Sequence, residues 1–148
     1  MATLDAGPEA FFTHDHRACD AIWAEVEQAV DNGDDEAAIE AFKRFQTAMI
    51  RHLDMEEQAL FPALEAAGLP PMGPTQMMRI EHEQFRRMLR EMEALADAGD
   101  AEGLADEGDT LLMLIQQHNA KEEGILYPMA ERLLAGGWND VAGRLVHY

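Results

Sequence analysis

His52 stands four residues before Glu56, and His118 stands four before Glu122. On an α-helix of 3.6 residues per turn that spacing sets an imidazole and a carboxylate one above the other on one face, which is a metal-ligand spacing. Glu57, Leu60, Phe61 and Pro62 follow the first pair, and Glu123, Leu126, Tyr127 and Pro128 follow the second in the same register. The two segments lie 66 residues apart, His52 to His118. The same shift, without a gap, sets Asp15 and His16 on Glu81 and His82, Glu25 on Glu91, Glu27 on Glu93, Gly33 and Asp34 on Gly99 and Asp100, and Glu36 on Glu102. The chain therefore reads as two half-domains in tandem, each of about two helices. Each half offers one His early and one His-x-x-x-Glu late.

The elements that must position these groups are helical. The first helix is expected to start with Thr13 or Asp15 as its N-cap and to reach about Val30, with His16, Cys19, Trp23 and Val26 at helical spacing and Asn32 and Gly33 ending it. The second, capped by Asp34 or Asp35, carries Ala38, Phe42, Phe45, Met49, His52, Glu56 and Leu60, and Pro62 should kink or end it. Gly68 to Pro74 is the linker between repeats. The third runs from about Thr75 to Ala96 with Met78, His82, Phe85, Leu89 and Met92 on one stripe. The fourth, with a break expected between Gly103 and Gly108, carries Leu111, Leu114, His118, Glu122, Ile125, Met129 and Leu133. No stretch alternates with the period of a strand. The expected fold is all-α: an antiparallel up-and-down four-helix bundle built from a tandem two-helix repeat, over residues 13–135. Residues 1–12 form an N-terminal tail, and residues 136–148 a C-terminal tail or short helix.

Every helix thus carries a His on its apolar stripe, where a buried polar group without a partner costs about 1–3 kcal/mol. Bound cations satisfy all six groups at once if the helices converge at one level. Four nitrogens and two carboxylates are too many for one tetrahedral zinc and suit two six-coordinate metals. Glu56 and Glu122 are read as bridges, with His16 and His52 on one metal and His82 and His118 on the other, leaving open positions. An imidazole-rich shell, less negative than that of ferritin-like proteins, favours ferrous iron and the capture of a small molecule.

The chain has 148 residues, the size of one domain, with 29 acidic against 11 basic side chains and a formal charge of −18. Phosphates would be repelled, so neither nucleic acid nor an anionic membrane surface is an expected partner. The single Cys19 excludes an internal disulfide and suits a reducing compartment, and no apolar run approaches a membrane span, so the expected location is cytoplasmic.

The doubled His-x-x-x-Glu-Glu-x-x-Leu-aromatic-Pro segment, each preceded by a helix bearing an acid–His pair, resembles the hemerythrin family, in particular its bacterial HHE cation-binding members. The resemblance covers about residues 13–135. It implies a four-helix bundle around two non-haem irons, with His16, His52, Glu56, His82, His118 and Glu122 as ligands and zinc or manganese as substitutes. It further implies binding of oxygen or another small diatomic such as nitric oxide for storage, delivery or sensing, the last needing a protein partner. The alternatives it implies are a di-iron enzyme acting on peroxide or nitric oxide, or an iron storage or donation protein. The sequence departs from oxygen carriers at Met78, where those have a fifth His; a thioether is a poor ligand for iron in a nitrogen and oxygen site. Beside these six, His14 and His147 read as surface residues and the ten Met residues as core filler. Asp15 and Glu81 are expected to orient imidazoles or cap helices, and Trp23 and Tyr127 to pack.

Overall fold

The structure is a computed structural model, and it describes residues 4–148. Met1 to Thr3, the first part of the expected tail, lie outside the described residues. After a short turn at Leu4–Ala6, the chain forms α1 (Pro8–Asp31), α2 (Asp35–Met55), α3 (Phe61–Ala66), α4 (Pro74–Asp97), α5 (Ala101–Lys121), α6 (Tyr127–Leu133) and α7 (Trp138–Leu145). One widened π turn joins α2 to α3 (Glu56–Leu60), and another joins α5 to α6 (Glu122–Leu126). The protein is a helical bundle, with no strand among the described residues. α1 packs on α2 and α4 on α5, while α1 also lies against α5 and α6, and α2 against α4.

Local chemistry sets the two tight turns identically. Gly33 (φ 72°) and Gly99 (φ 74°) take the left-handed conformation. Their N–H groups donate to Val30 and Ala96, and the next N–H groups, of Asp34 and Asp100, reach back to Ala29 and Leu95. This pattern satisfies the last carbonyls of α1 and α4. Asp34 and Asp100 then cap the following helices, accepting from the Ala37 and Gly103 N–H groups.

Three expectations are corrected. α1 starts at Pro8, not near Thr13 or Asp15, because proline suits the first helical position and Phe12 is wholly buried when the helix extends that far. α5 runs unbroken through Gly103 and Gly108, the latter sitting where the Trp23 ring leaves no room for a side chain. Pro62 does not end its helix. The Phe61 N–H already reaches five residues back to the Glu56 carbonyl, so the proline's missing donor falls where the usual ladder is interrupted. The same holds for Tyr127, whose N–H bonds the Glu122 carbonyl, ahead of Pro128. The C-terminal segment, expected as a tail or short helix, forms the short helix α7 beyond the four long arms and buries Trp138, Val141 and Leu145.

The π turns also shift the buried stripe. The expected stripe of the last long arm passed through Ile125 and Leu133, but these are 59% and 39% exposed. Leu126, Tyr127, Ala130 and Leu134 are buried in their place. One extra residue per turn rotates everything downstream of Glu122 by about one residue's 100°.

Two apolar cores result. One, from Cys19, Phe42, Phe45, Phe85 and Leu111 among others, lies toward the tight turns. The other gathers Phe12, Leu60, Phe61, Met78, Leu126 and Tyr127 with the α7 side chains. On each arm the polar residues fall between the two: His16 between Phe12 and Cys19, His82 between Met78 and Phe85.

Candidate metal centre

Each arm delivers its side chain at that level: two histidines lie in the first half of α1 and α4, two in the last turn of α2 and α5. His16 comes from α1, His52 from α2, His82 from α4 and His118 from α5; Glu56 and Glu122 open the two π turns. All six are buried, and Glu56, His82 and Glu122 have no exposed surface. They form two overlapping groups, His16, His52, Glu56 and Glu122, and Glu56, His82, His118 and Glu122. Within each group one donor atom per residue lies within 4.8 Å of all the others. The two carboxylates belong to both. The structure thus brings together all six residues that the spacing singled out, in two groups that share the carboxylates. His14 and His147 are exposed and take no part.

The four imidazoles are oriented from outside. His16 Nδ1 donates to Glu123 Oε2 at 2.7 Å. His52 Nδ1 donates to Asp15 Oδ2 at 2.7 Å, His82 Nδ1 to Glu57 Oε2 at 2.8 Å, and His118 Nδ1 to Glu81 Oε1 at 2.7 Å. A carboxylate only accepts, so these contacts put the proton on Nδ1 and turn each Nε2 lone pair inward. The outer carboxylates are each braced by a cation: Arg17 on Glu123 (2.6 Å), Arg51 on Asp15 (3.3 Å), Arg86 on Glu57 (3.0 Å) and Lys121 on Glu81. Burial works to raise Asp15, Glu57, Glu81 and Glu123, and the facing imidazoles and cations overcome it, so all four sit below the usual carboxylate range. Asp15 and Glu81 act across the bundle, on His52 and His118, and not on the histidines beside them in sequence. Glu57 and Glu123 do the same work for His82 and His16; their adjacency to Glu56 and Glu122 had not disclosed it.

Inside, donors face donors without protons to share. His52 Nε2, Glu56 Oε1 and Glu122 Oε2 are buried without a hydrogen-bond partner among the described residues. His52 Nε2 and His82 Nε2 each lie 3.3 Å from Glu56 Oε1, and His118 Nε2 lies 3.2 Å from Glu122 Oε2. His82 and His118 approach each other Nε2 to Nε2 at 3.3 Å, a contact two lone pairs cannot turn into a hydrogen bond. Without a cation the buried carboxylates draw protons instead. Burial works to lower His82, and Glu56 and Glu57 overcome it, raising it to about 9; His52 and His118 are raised by the same opposition of burial against Glu56 and Glu122. Metal bound here would displace those protons. Unpaired buried donors converging from four helices fit a cation cluster, and the mix of imidazole and carboxylate fits first-row transition metals.

The Hemerythrin HHE cation-binding domain profile matches residues 8–130. The chain belongs to the hemerythrin HHE family. This agrees with the resemblance carried by the doubled motif, and members of the family bind metal cations at such His and Glu clusters. Neither a curated protein nor a solved structure shows significant similarity to it.

A further residue in the centre escaped sequence reasoning. Tyr127, expected to pack, is wholly buried with its hydroxyl donating to Glu56 Oε2 at 2.6 Å. The phenol is held well above its ordinary value, first by burial and then by Glu122 and Glu56. The missing signal was the π turn, which rotates Tyr127 onto the site face. Trp23, by contrast, packs edge-on to Phe45 in the core. Met78 is buried and lies outside both ligand groups.

Proposed function

We propose that this hemerythrin-like chain holds two non-haem irons, His16 and His52 on one, His82 and His118 on the other, bridged by Glu56 and Glu122, and binds a small diatomic there. Oxygen or nitric oxide is the ligand class, for storage, delivery or sensing, with a protein partner needed for a sensor. The carrying observation is the set of orphaned donors: six buried ligands for two metals leave coordination positions that no side chain of the carboxylate–imidazole set fills. The frame is an antiparallel up-and-down arrangement of four long arms, two from each repeat.

Ferrous iron would supply the open positions and electrons that capture of a diatomic needs. The chain's own residues do the rest. The outer carboxylates fix the imidazoles, so little ordering is left to do when metal binds. The apolar cores on either side exclude bulk water. A narrow, largely enclosed cavity of about 10 Å³, lined by His16, His52, His118, Cys19, Phe45 and Ile115, has room for one water-sized molecule and none for an organic substrate.

Met78 supports a second reading. With no fifth histidine above His82, one metal has a position more open than a carrier requires, which favours turnover of peroxide or nitric oxide, or release of iron. Zinc or manganese could occupy the same donors. No helix is long and apolar enough to cross a membrane. The charge of −18 and the single buried thiol accord with a cytoplasmic protein that contacts neither nucleic acid nor anionic lipid.

The test is anaerobic. Metal per chain is counted after reconstitution with ferrous iron, and the visible spectrum is followed as oxygen is admitted. Two irons and a band that reverses on deoxygenation are expected. Irreversible oxidation shifts the reading to peroxide, nitric oxide or iron handling, and substoichiometric metal refutes the centre.

A further inference from the structure

The internal repeat pairs like with like throughout the centre: Asp15 with Glu81, His16 with His82, His52 with His118, Glu56 with Glu122, Glu57 with Glu123. It differs at the aromatic residue that lies beside each early histidine. Phe61, where the first π turn meets α3, stacks on His82 with ring centroids 5.6 Å apart and an interplanar angle of 27°. Its counterpart Tyr127 lies beside His16 at 5.5 Å and 32°, in the same relation, but adds a hydroxyl. That oxygen reaches Glu56 Oε2 at 2.6 Å, Glu122 Oε1 at 3.0 Å and His16 Nε2 at 3.1 Å.

A phenol has one proton and these are three acceptors, since His16 spends its Nδ1 proton on Glu123. Hydrogen bonding therefore accounts for one contact of the three. The 2.6 Å contact is that charge-assisted hydrogen bond, to Glu56; metal coordination accounts for the two longer ones. Adjacent ligands of an octahedral ion with bonds of about 2.1 Å stand about 3.0 Å apart. His16 Nε2 and Glu122 Oε1 are themselves 3.0 Å apart, so the phenol oxygen sits among ligand atoms at the spacing of one more ligand.

We propose that Tyr127 supplies its phenol oxygen as a seventh protein ligand, to the metal held by His16 and His52, and that the two metals are thereby unlike. This rests on the two-metal reading of the centre. The phenol proton is displaced to solvent as the metal binds, as for any ligand that must deprotonate. The hard, anionic oxygen favours the ferric state of its own metal. The His82 and His118 metal, whose neighbouring aromatic Phe61 has no hydroxyl to offer, keeps the open positions for a small ligand.

The iron-loaded, air-oxidised protein is examined by visible absorption and resonance Raman, with ring-deuterated tyrosine incorporated in a parallel sample. A phenolate-to-iron charge-transfer band is expected, with enhanced ring modes that shift on deuteration. Tyr127→Phe should abolish the band and keep two irons per chain; Tyr148→Phe, altering an exposed ring, should leave it intact. The isotope shift in the unmutated chain decides the question even if Tyr127→Phe folds poorly. Zinc loading gives an independent check through the ultraviolet difference signal of tyrosinate. Two irons without the band, or a band that survives Tyr127→Phe, overturns the ligand and leaves the two-metal centre standing. Fewer than two irons overturns both.

Discussion

Replacing Asp15 by Asn removes one negative charge while keeping the shape of the side chain that holds His52. Asp15 Oδ2 accepts from His52 Nδ1 at 2.7 Å, and the side chain is only 16% exposed, so solvent does little to screen the change. The amide can still accept, but it no longer enforces one tautomer or raises the basicity of Nε2. Removing such an outer partner typically lowers metal affinity about 10–100-fold, or about 1.4–2.7 kcal/mol at 1.36 kcal/mol per decade. The same substitution breaks the ion pair with Arg51. That is a surface pair, 3.3 Å long on a 42% exposed arginine, and it adds at most about 1 kcal/mol to folding stability without touching the metal. Competition against a chelator of known affinity, followed by metal analysis, separates the two metals. The metal held by His52 should fall by that factor in Asp15→Asn, and Glu81→Gln should weaken the other through His118. His14→Ala, on an exposed side chain, serves as the control. Unchanged affinity in both carboxylate variants, or an equal decrease in His14→Ala, would refute the claim that the outer carboxylates prepare the imidazoles.

Three further expectations test the packing around the centre. Leu126→Ala should cost about 2–5 kcal/mol and Ile125→Ala less than about 0.5 kcal/mol in urea unfolding, because the π turn buries the first and exposes the second; the reverse order would place the stripe where an uninterrupted helix puts it. Gly108→Ala should destabilise by about 1–3 kcal/mol although alanine is the better helix former by about 1 kcal/mol, since its Cβ would fall 2.1 Å from the Trp23 ring; a net gain in stability would show that the ring yields. Burial, followed by Asp15 and Asp20, pushes the Cys19 thiol up to about 12. The folded state thus keeps the neutral thiol, a contribution fully present below the unfolded pKa near 8.5 and lost as pH rises toward about 12, with a slope of at most about 1.4 kcal/mol per pH unit. The metal-free protein should show that alkaline slope and Cys19→Ala should lack it; parallel slopes in the two would refute it.

What the sequence discloses, and what it hides, follows from the range of the interactions. His16, His52, Glu56, His82, His118 and Glu122 were legible because helical spacing and a repeat register are properties of the chain alone. The tight turns at Gly33 and Gly99 were legible for the same reason. The partners of the imidazoles were not: Asp15 reaches His52 across 37 residues and Glu123 reaches His16 across 107, and only the packing of α1 against α2 and α6 decides that. The phase beyond Glu122 was lost because a period of 3.6 was carried through a turn that has an extra residue. That one slip misplaced Ile125 and Leu133 and concealed Tyr127. The start of α1 at Pro8 was missed because Thr13 and Asp15 are good caps in isolation, and burial of Phe12 outweighs them.

The charge arrangement bears on which oxidation state the centre would hold. The chain has only 11 basic residues against 29 acidic ones, yet Arg17, Arg51, Arg86 and Lys121 all stand behind the histidines. Each outer carboxylate is therefore matched by a cation, and the field of the surrounding acids is largely cancelled at the centre. What remains there is the charge of Glu56 and Glu122, two negatives against the four positives of a di-ferrous pair and the six of a di-ferric one. An uncompensated positive charge in a buried site is costly, so with the two irons proposed above this shell would favour the reduced pair and would draw small ligands that become anionic when they accept electrons. A phenolate from Tyr127 would lower the excess by one on a single side, which is how one chain could hold two irons of different readiness to give up an electron.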